Sequence, residues 1–173
     1  MSTSGSITPS SKYLIRKCLK NIDFDKARII LELGVGDGVI TEKILKKIHP
    51  NCKVIAIEIN ENLFKYTQKK FANHPQLELV LGSAFDFDLV LKDLNIDKVD
   101  YVVSSLPLSL FEKDQIEELF EKVPTFLLDE GAFIQYQYTL GKYPYLKKIF
   151  EKVNVDFTLM NAPPALIFTC FIS

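Results

Sequence analysis

The chain has 173 residues with 47% hydrophobic and 25% charged side chains, and its formal net charge is -1. This length and composition fit one globular domain. A charge so close to zero excludes a global attraction to nucleic acid or anionic lipid, so such a partner would need a local basic patch. The three cysteines lie far apart without CxxC spacing, which favours reduced thiols in a cytoplasm over a disulfide framework or a zinc site. The start lacks a signal-peptide pattern, and no run of about 18 apolar residues occurs, so we expect neither export nor a membrane span.

The predicted elements alternate between helix and strand. The first nine residues are small and polar and are predicted to be flexible, and Ser10 or Ser11 is predicted to cap an amphipathic helix that reaches about Asn21. Further helices are predicted at 39–48, 61–71 and 113–123, with a short helical stretch at 142–152 and a connector around 85–94. Strands are predicted at 27–33, 53–59, 77–82, 99–106, 131–140, 153–160 and 165–173.

This alternation predicts the fold class. Apolar strands separated by helices indicate a parallel sheet with helices on both faces. The last two strands are joined only by NAPPA at 161–165, which is too short for a helical crossover, so they are predicted to form an antiparallel hairpin. The expected fold is therefore an α/β, Rossmann-like sheet of seven mostly parallel strands that ends in this hairpin.

Three glycines at alternate positions follow the first predicted strand. Gly34, Gly36 and Gly38 fall where a buried strand must turn sharply into a helix and where a ligand can approach the backbone. A dinucleotide fingerprint has its third glycine five positions after the first, whereas here it comes four after, and Glu32 lies within the strand end. Glu58 follows at the tip of the next strand, where a carboxylate can accept both ribose hydroxyls. The combination predicts a nucleoside pocket and disfavours NAD and FAD.

These residues resemble those of class I methyltransferases that depend on S-adenosylmethionine, and the resemblance extends over nearly the whole chain. It implies one methyltransferase domain over residues 10–173, with S-adenosylmethionine as cofactor and S-adenosylhomocysteine as product. The segment 32–38 would cradle the methionine part of the cofactor, Glu58 would bind its ribose, and LGSAF at 81–85 would bind its adenine. The cofactor-binding residues implied are Glu32, Gly34, Val35, Gly36, Gly38, Glu58, Ile59, Ser83, Ala84 and Ser104.

Four blocks outside the glycine loop resemble those of bacterial phospholipid N-methyltransferases. They are GSITPSSKYL at 5–14, SSLPL at 104–108, QYTLG at 137–141 and NAPPA at 161–165. The resemblance implies methyl transfer to the amine of a phospholipid headgroup such as phosphatidylethanolamine. Residues implied in contact with the substrate or the membrane are Pro9, Ser10, Lys12, Arg16, Leu106 and Pro107.

Methyl transfer from a sulfonium is an in-line displacement, so the protein mainly aligns donor and acceptor and excludes water. An amine acceptor must be neutral, and aromatic rings can stabilise its methylated product by cation-π contact. Candidate catalytic residues are Ser105, Tyr143 and one of Tyr136 and Tyr138. We prefer Ser105 and Tyr138, because Tyr138 lies nearer the carboxyl end of its strand, where α/β ligands bind.

The first predicted helix carries Lys12, Arg16 and Lys20 at every fourth position. One hypothesis is that it lies on an anionic membrane, so that a cytoplasmic protein associates peripherally with the inner face. The alternative is that its apolar stripe packs on the sheet and its lysines are simply solvated.

Two other functions stay open. SSLPL also resembles the NLPY block of adenine N6-methyltransferases that act on ribosomal RNA, although Ser105 and Leu108 replace the asparagine and the aromatic residue. Ser83, Leu140 and Met160 differ from the residues usual in the family, which leaves open a non-catalytic module that binds S-adenosylmethionine. His49 and His74 have no partners at metal spacing, so no metal site is predicted.

Overall fold

The structure, a computed structural model, describes residues 11–173, so the segment 1–9 and the candidates Pro9 and Ser10 lie outside the described residues. The strands are β1 Ile29–Leu33, β2 Lys53–Glu58, β3 Leu77–Leu81, β4 Val99–Ser104, β5 Leu127–Gln137, β6 Lys152–Thr158 and β7 Ala165–Phe171. The α-helices are α1 Lys12–Cys18, α2 Val39–Leu45, α3 Glu61–Lys70, α4 Phe87–Asp93, α5 Lys113–Phe126 and α6 Tyr143–Ile149.

The seven strands form one sheet in the order β3-β2-β1-β4-β5-β7-β6. Strands β1 to β5 pair in parallel, whereas β7 pairs antiparallel with both β5 and β6. The predicted Rossmann-like sheet with a carboxyl-terminal hairpin is therefore confirmed. Because β6 runs in the same direction as β5, the carboxyl ends of six strands lie at one edge of the sheet.

Both faces of the sheet are buried. Helices α1 and α2 and the end of α3 cover one face, and α4, α5 and α6 cover the other. In β1, Ile30 packs in the core on the α1 and α2 face, and Leu31 packs in the core on the α4, α5 and α6 face. This explains why the strand is apolar at successive positions. Among residues 11–173, no helix has the length and hydropathy that crossing a bilayer requires.

Several elements differ from the prediction in type or in bounds, and three of these differences concern α4, α1 and β5. The region predicted as a connector is a short 3₁₀ turn followed by α4, and Phe87 and Leu91 bury one face of this helix against the sheet. The first helix begins after Ser11, whose side chain accepts a hydrogen bond from the Leu14 N–H, and it ends earlier than predicted, at Cys18. Strand β5 ends at Gln137, so Tyr138 and Leu140 lie beyond the sheet.

Candidate cofactor site

The turn between β1 and α2 requires glycine. Gly34, Gly36 and Gly38 have φ of 82°, 58° and 78°, a backbone region that side chains with a Cβ rarely adopt. The Gly34 N–H donates to the Ile57 carbonyl at 3.0 Å, so the loop leaves β1 still attached to β2. Gly38 is the residue that precedes the first turn of α2.

The glycines differ in what surrounds them. A Cβ on Gly38 would lie 2.6 Å from a ring carbon of Phe71, so this glycine allows α2 to pack closely. A Cβ on Gly36 would meet no atom within 4 Å, and Gly36 lines an open cleft. The space above Gly36 is therefore available to a ligand that lies against the backbone.

We expect Gly38→Ala to destabilise the fold more than Gly36→Ala. Both substitutions place a side chain at positive φ, which costs about 1 kcal/mol, and only Gly38→Ala also overpacks Phe71, for a total of about 2 kcal/mol. Urea unfolding of the two variants and the wild-type protein measures the difference. Equal losses of unfolding free energy would contradict the assignment of Gly38 to packing.

A cleft of about 330 Å³ opens beside this loop, at the carboxyl ends of β1 to β4. Such a position is where α/β sheets bind ligands. Its lining is mostly apolar with a few polar side chains, and consists of Gly34, Gly36, Ile57, Glu58, Ile59, Leu63, Ser83, Ala84, Phe85, Ser105, Leu106, Pro107, Phe111 and Gln115.

Glu58 is the charged side chain of the cleft, and it is almost fully buried. One carboxylate oxygen accepts the N–H of Gly36 at 2.8 Å, and the other accepts the N–H of Asn60 at 2.7 Å. Each oxygen has a second lone pair. The carboxylate can therefore hold the glycine loop and also accept two hydroxyls of a ligand, as a ribose would require.

Ser105 connects the β4 loop to the glycine loop. Its N–H donates to the Leu33 carbonyl at 3.0 Å, and its hydroxyl donates to the Gly34 carbonyl. Behind it, the buried Gln135 amide donates to the Leu106 carbonyl at 3.3 Å. Because the hydroxyl proton is used on Gly34, the Ser105 oxygen is left with lone pairs to accept a hydrogen bond in the cleft.

The opposite wall is built by the segment after β3. The Ser83 hydroxyl accepts the Phe85 N–H at 3.2 Å and fixes the 3₁₀ turn. The Phe85 ring packs edge-on against Phe111 with centroids 4.8 Å apart, and Lys122 donates to the Phe85 carbonyl at 2.8 Å. These contacts present a rigid apolar wall suited to a planar base.

Glu32 lies in β1, two residues before Gly34, and has no exposed surface. Neither of its carboxylate oxygens has a hydrogen-bond partner among the described residues. Burial raises its pKa to about 8, and the neighbouring Thr41 hydroxyl and amide oppose this effect only partly. Burial therefore favours the neutral, protonated form of the Glu32 carboxyl.

The predicted residues fall into three groups. Six predicted cofactor residues line the cleft, together with Ser105, Leu106 and Pro107: these six are Gly34, Gly36, Glu58, Ile59, Ser83 and Ala84. Predicted cofactor residues outside the lining are Glu32, Val35, Gly38 and Ser104. The remaining candidates within residues 11–173 do not line the cleft, and Pro9 and Ser10 lie outside the described residues.

Tyr138 is one of these. It follows β5, is 44% exposed, does not line the cleft, and packs its ring edge-on against Tyr136 with centroids 6.2 Å apart. Tyr143 stacks on Phe168 instead. Lys12 and Arg16 line a separate groove of about 630 Å³ between α1 and α2, which shares no residue with the cleft.

Lining residues that are not among the predicted site residues are Ile57, Leu63, Phe85, Phe111 and Gln115. Phe85 nevertheless belongs to the LGSAF block that is predicted to bind adenine. Phe111 and Gln115 follow a different strand, and no local pattern indicates that the fold brings them to this cleft.

Comparison with known proteins supports a methyltransferase. A family model described as a methyltransferase domain matches residues 30–131. The ornithine lipid N-methyltransferase of Singulisphaera acidiphila is 34% identical over 166 residues, which are 95% of this chain and 86% of that protein. The ribosomal RNA small subunit methyltransferase A of Mycoplasma capricolum is 33% identical over 69% of this chain, and the match spans 46% of that protein.

Solved structures of other methyltransferases share this fold. The O-methyltransferase TomG of Streptomyces achromogenes, solved in complex with S-adenosylmethionine, superposes with a TM-score of 0.77 at 14% identity, over 94% of this chain and 81% of that one. The open space above Gly36 and the carboxylate of Glu58 fit this cofactor. The chain belongs to the class I methyltransferases that use S-adenosylmethionine, and over almost its whole length it resembles a lipid N-methyltransferase.

Proposed function

We propose that this methyltransferase modifies the amine of a lipid headgroup, with phosphatidylethanolamine as a substrate. The observation that carries the proposal is the extent of the match to the ornithine lipid N-methyltransferase. That match covers 95% of the chain, whereas the match to the ribosomal RNA enzyme covers 69%. A match over so much of the chain reaches beyond the cofactor loop into the segments that face an acceptor.

The acceptor side of the cleft supports an amine substrate. When bound, S-adenosylmethionine supplies an electrophilic methyl group on a sulfonium. The apolar side chains of Leu106 and Pro107 exclude water there and disfavour a charged ammonium, which promotes the neutral amine that can attack. The Ser105 oxygen can accept an amine N–H and so orient the nitrogen lone pair. Tyr138 stays a candidate for contact with the methylated product.

A nucleic-acid substrate is the second candidate, motivated by the match to the ribosomal RNA enzyme. In the NLPY block that this proposal requires, the aromatic residue stacks on the flipped base. Leu108 takes that position here and is buried in the core. Ser105 takes the position of the asparagine and already donates its proton to Gly34. Both observations favour the lipid amine over adenine.

A lipid substrate requires peripheral contact with a membrane, and we propose this contact at the inner face. The groove between α1 and α2 is lined by Lys12, Arg16, Lys43 and Lys47. Within residues 11–173, the ion pairs at N···O distances up to 4.0 Å include none of these four cations. Their free charge favours anionic lipid.

The test is incubation with S-adenosylmethionine labelled in its methyl group and three acceptors in parallel: phosphatidylethanolamine vesicles, ornithine lipid vesicles and ribosomal RNA. We expect label in extracted lipid, and the two vesicle arms identify the headgroup. Label only in RNA would refute the lipid proposal. Binding of S-adenosylmethionine without label in any acceptor would favour the non-catalytic module.

A further inference from the structure

Large apolar side chains are exposed on two loops at one corner of the sheet. Leu140 follows β5 and is 56% exposed, and Leu159 and Met160 follow β6 and are 72% and 59% exposed. We call these three residues the apolar tip. Because β5 and β6 run in the same direction as β1, β2 and β4, the tip lies at the same edge of the sheet as the cofactor cleft.

The backbone of the β6–β7 loop is held in place. The Met160 N–H donates to the Thr158 hydroxyl at 3.3 Å. The buried Asn161 accepts the Ser11 N–H at 3.0 Å, and its amide donates to the Pro163 carbonyl at 2.8 Å. Leu159 and Met160 are thus exposed on a loop that these three hydrogen bonds hold in place. Clustered exposed apolar side chains of this kind mark a contact surface.

The chain segments that carry the tip or pack beside its strands are rich in cations. Segments 138–150 and 157–173 include the tip residues, and α1, in segment 12–22, packs against β6 and β7. Together the three segments contain seven lysines and arginines and no aspartate or glutamate, although the whole chain has 22 acidic residues. Asp156, which directly precedes the last of these segments, pairs with Lys20 at 2.5 Å and with Lys17 at 3.9 Å, so five of the seven cations have no ion pair with it.

We propose that the apolar tip inserts into the interfacial region of an anionic bilayer while the flanking cations contact lipid headgroups. This inference rests on the proposed function and deepens it, because it names the side chains that enter the bilayer. The exposed apolar side chains suit the acyl boundary of such an interface, and the cations of the neighbouring segments suit its anionic headgroups. Docking by the tip places the cofactor cleft toward the lipid amines.

The chain contains no tryptophan, which makes a site-specific fluorescence test possible. Leu159→Trp places a reporter in the tip, and Leu89→Trp places a matched reporter on α4, where Leu89 is 56% exposed. With phosphatidylcholine vesicles that contain phosphatidylglycerol, we expect a blue shift and quenching by brominated lipid only for Leu159→Trp. An unchanged spectrum at position 159 in protein that sediments with the vesicles would overturn the proposal and indicate docking by another surface.

A second test removes the tip. We compare Leu140→Ser/Leu159→Ser/Met160→Ser with a control, Leu89→Ser/Leu128→Ser, which removes exposed leucines away from the tip. The triple variant is expected to bind the anionic vesicles about tenfold more weakly, and the control to bind as the wild type does. Calorimetric binding of S-adenosylmethionine by both variants verifies the fold. A triple variant that keeps wild-type vesicle affinity would refute the docking surface.

Activity separates this inference from the proposed function. On short-chain phosphatidylethanolamine dispersed as monomers, the triple variant is expected to keep the wild-type rate, and only the rate on vesicles is expected to fall. Equal losses on both forms would refute a docking role. If the Leu159→Trp reporter shows insertion into vesicles but the wild-type protein labels no lipid, the proposed substrate is wrong and the docking surface stands.

Discussion

Glu58→Gln is expected to weaken binding of S-adenosylmethionine by about a hundredfold, because hydrogen bonds to a charged acceptor contribute roughly 1.5 to 3 kcal/mol. The carboxylate accepts the Gly36 N–H at 2.8 Å and the Asn60 N–H at 2.7 Å, so it also fixes the glycine loop that lines the cleft. An amide keeps the shape but has only one acceptor oxygen, and its NH₂ group would face a backbone N–H. Isothermal titration calorimetry with S-adenosylmethionine measures the loss.

The matched control is Glu61→Gln, at the residue that directly follows Asn60. This variant makes the same change of charge on an exposed side chain whose described partner is Lys65 on the surface of α3. It is expected to bind S-adenosylmethionine within about twofold of the wild type, as surface substitutions usually have small effects. If Glu58→Gln stayed within that range, or if both variants lost affinity equally, Glu58 would not be a cofactor ligand.

Hydrophobic patterning made most of the fold predictable. Strand β1 is apolar at successive positions because both faces are covered, and a linker of a few residues between β6 and β7 permits only an antiparallel pair. The region 85–94 was harder, because acidic residues alternate with apolar ones there and hide the helical spacing of Phe87 and Leu91. The packing of those two side chains on the sheet, rather than the local sequence pattern, determines that this segment is helical.

The cofactor side of the site was predictable because its residues are local in sequence. The glycine loop and Glu58 each follow one strand and carry recognisable spacing. The rest of the lining is different, since Phe111 and Gln115 reach the cleft only through the order of strands in the sheet. Likewise Leu140 and Met160 read in the sequence as departures from a family pattern, and the structure adds that both side chains are exposed beside the same edge.

Glu32→Gln is expected to change how stability depends on pH. The Glu32 carboxyl is fully buried, and its pKa is raised from 4.5 to about 8, chiefly by burial. Between these two values the folded state binds a proton that the unfolded chain has released, so the wild-type protein loses stability as pH rises through this window. Glutamine cannot ionise. The unfolding free energy of Glu32→Gln relative to that of the wild type should therefore rise by about 4 kcal/mol between about pH 5 and about pH 9.

Urea unfolding of cofactor-free protein at several pH values measures this shift, and Glu42→Gln on α2 is the control. The Glu42 pKa is lowered by its hydrogen bond and charge interaction with Lys46 and then by those with Lys70. A lowered pKa has the opposite sign, because its stabilising effect is present above the unfolded pKa and is lost as pH falls. That loss falls below the ordinary carboxyl pKa of 4.5, so the difference between Glu42→Gln and wild type should stay constant from about pH 5 to about pH 9, where Glu32→Gln gains stability. Parallel pH profiles for Glu32→Gln and wild type would mean that Glu32 is ionised in the folded protein and has a compensating partner.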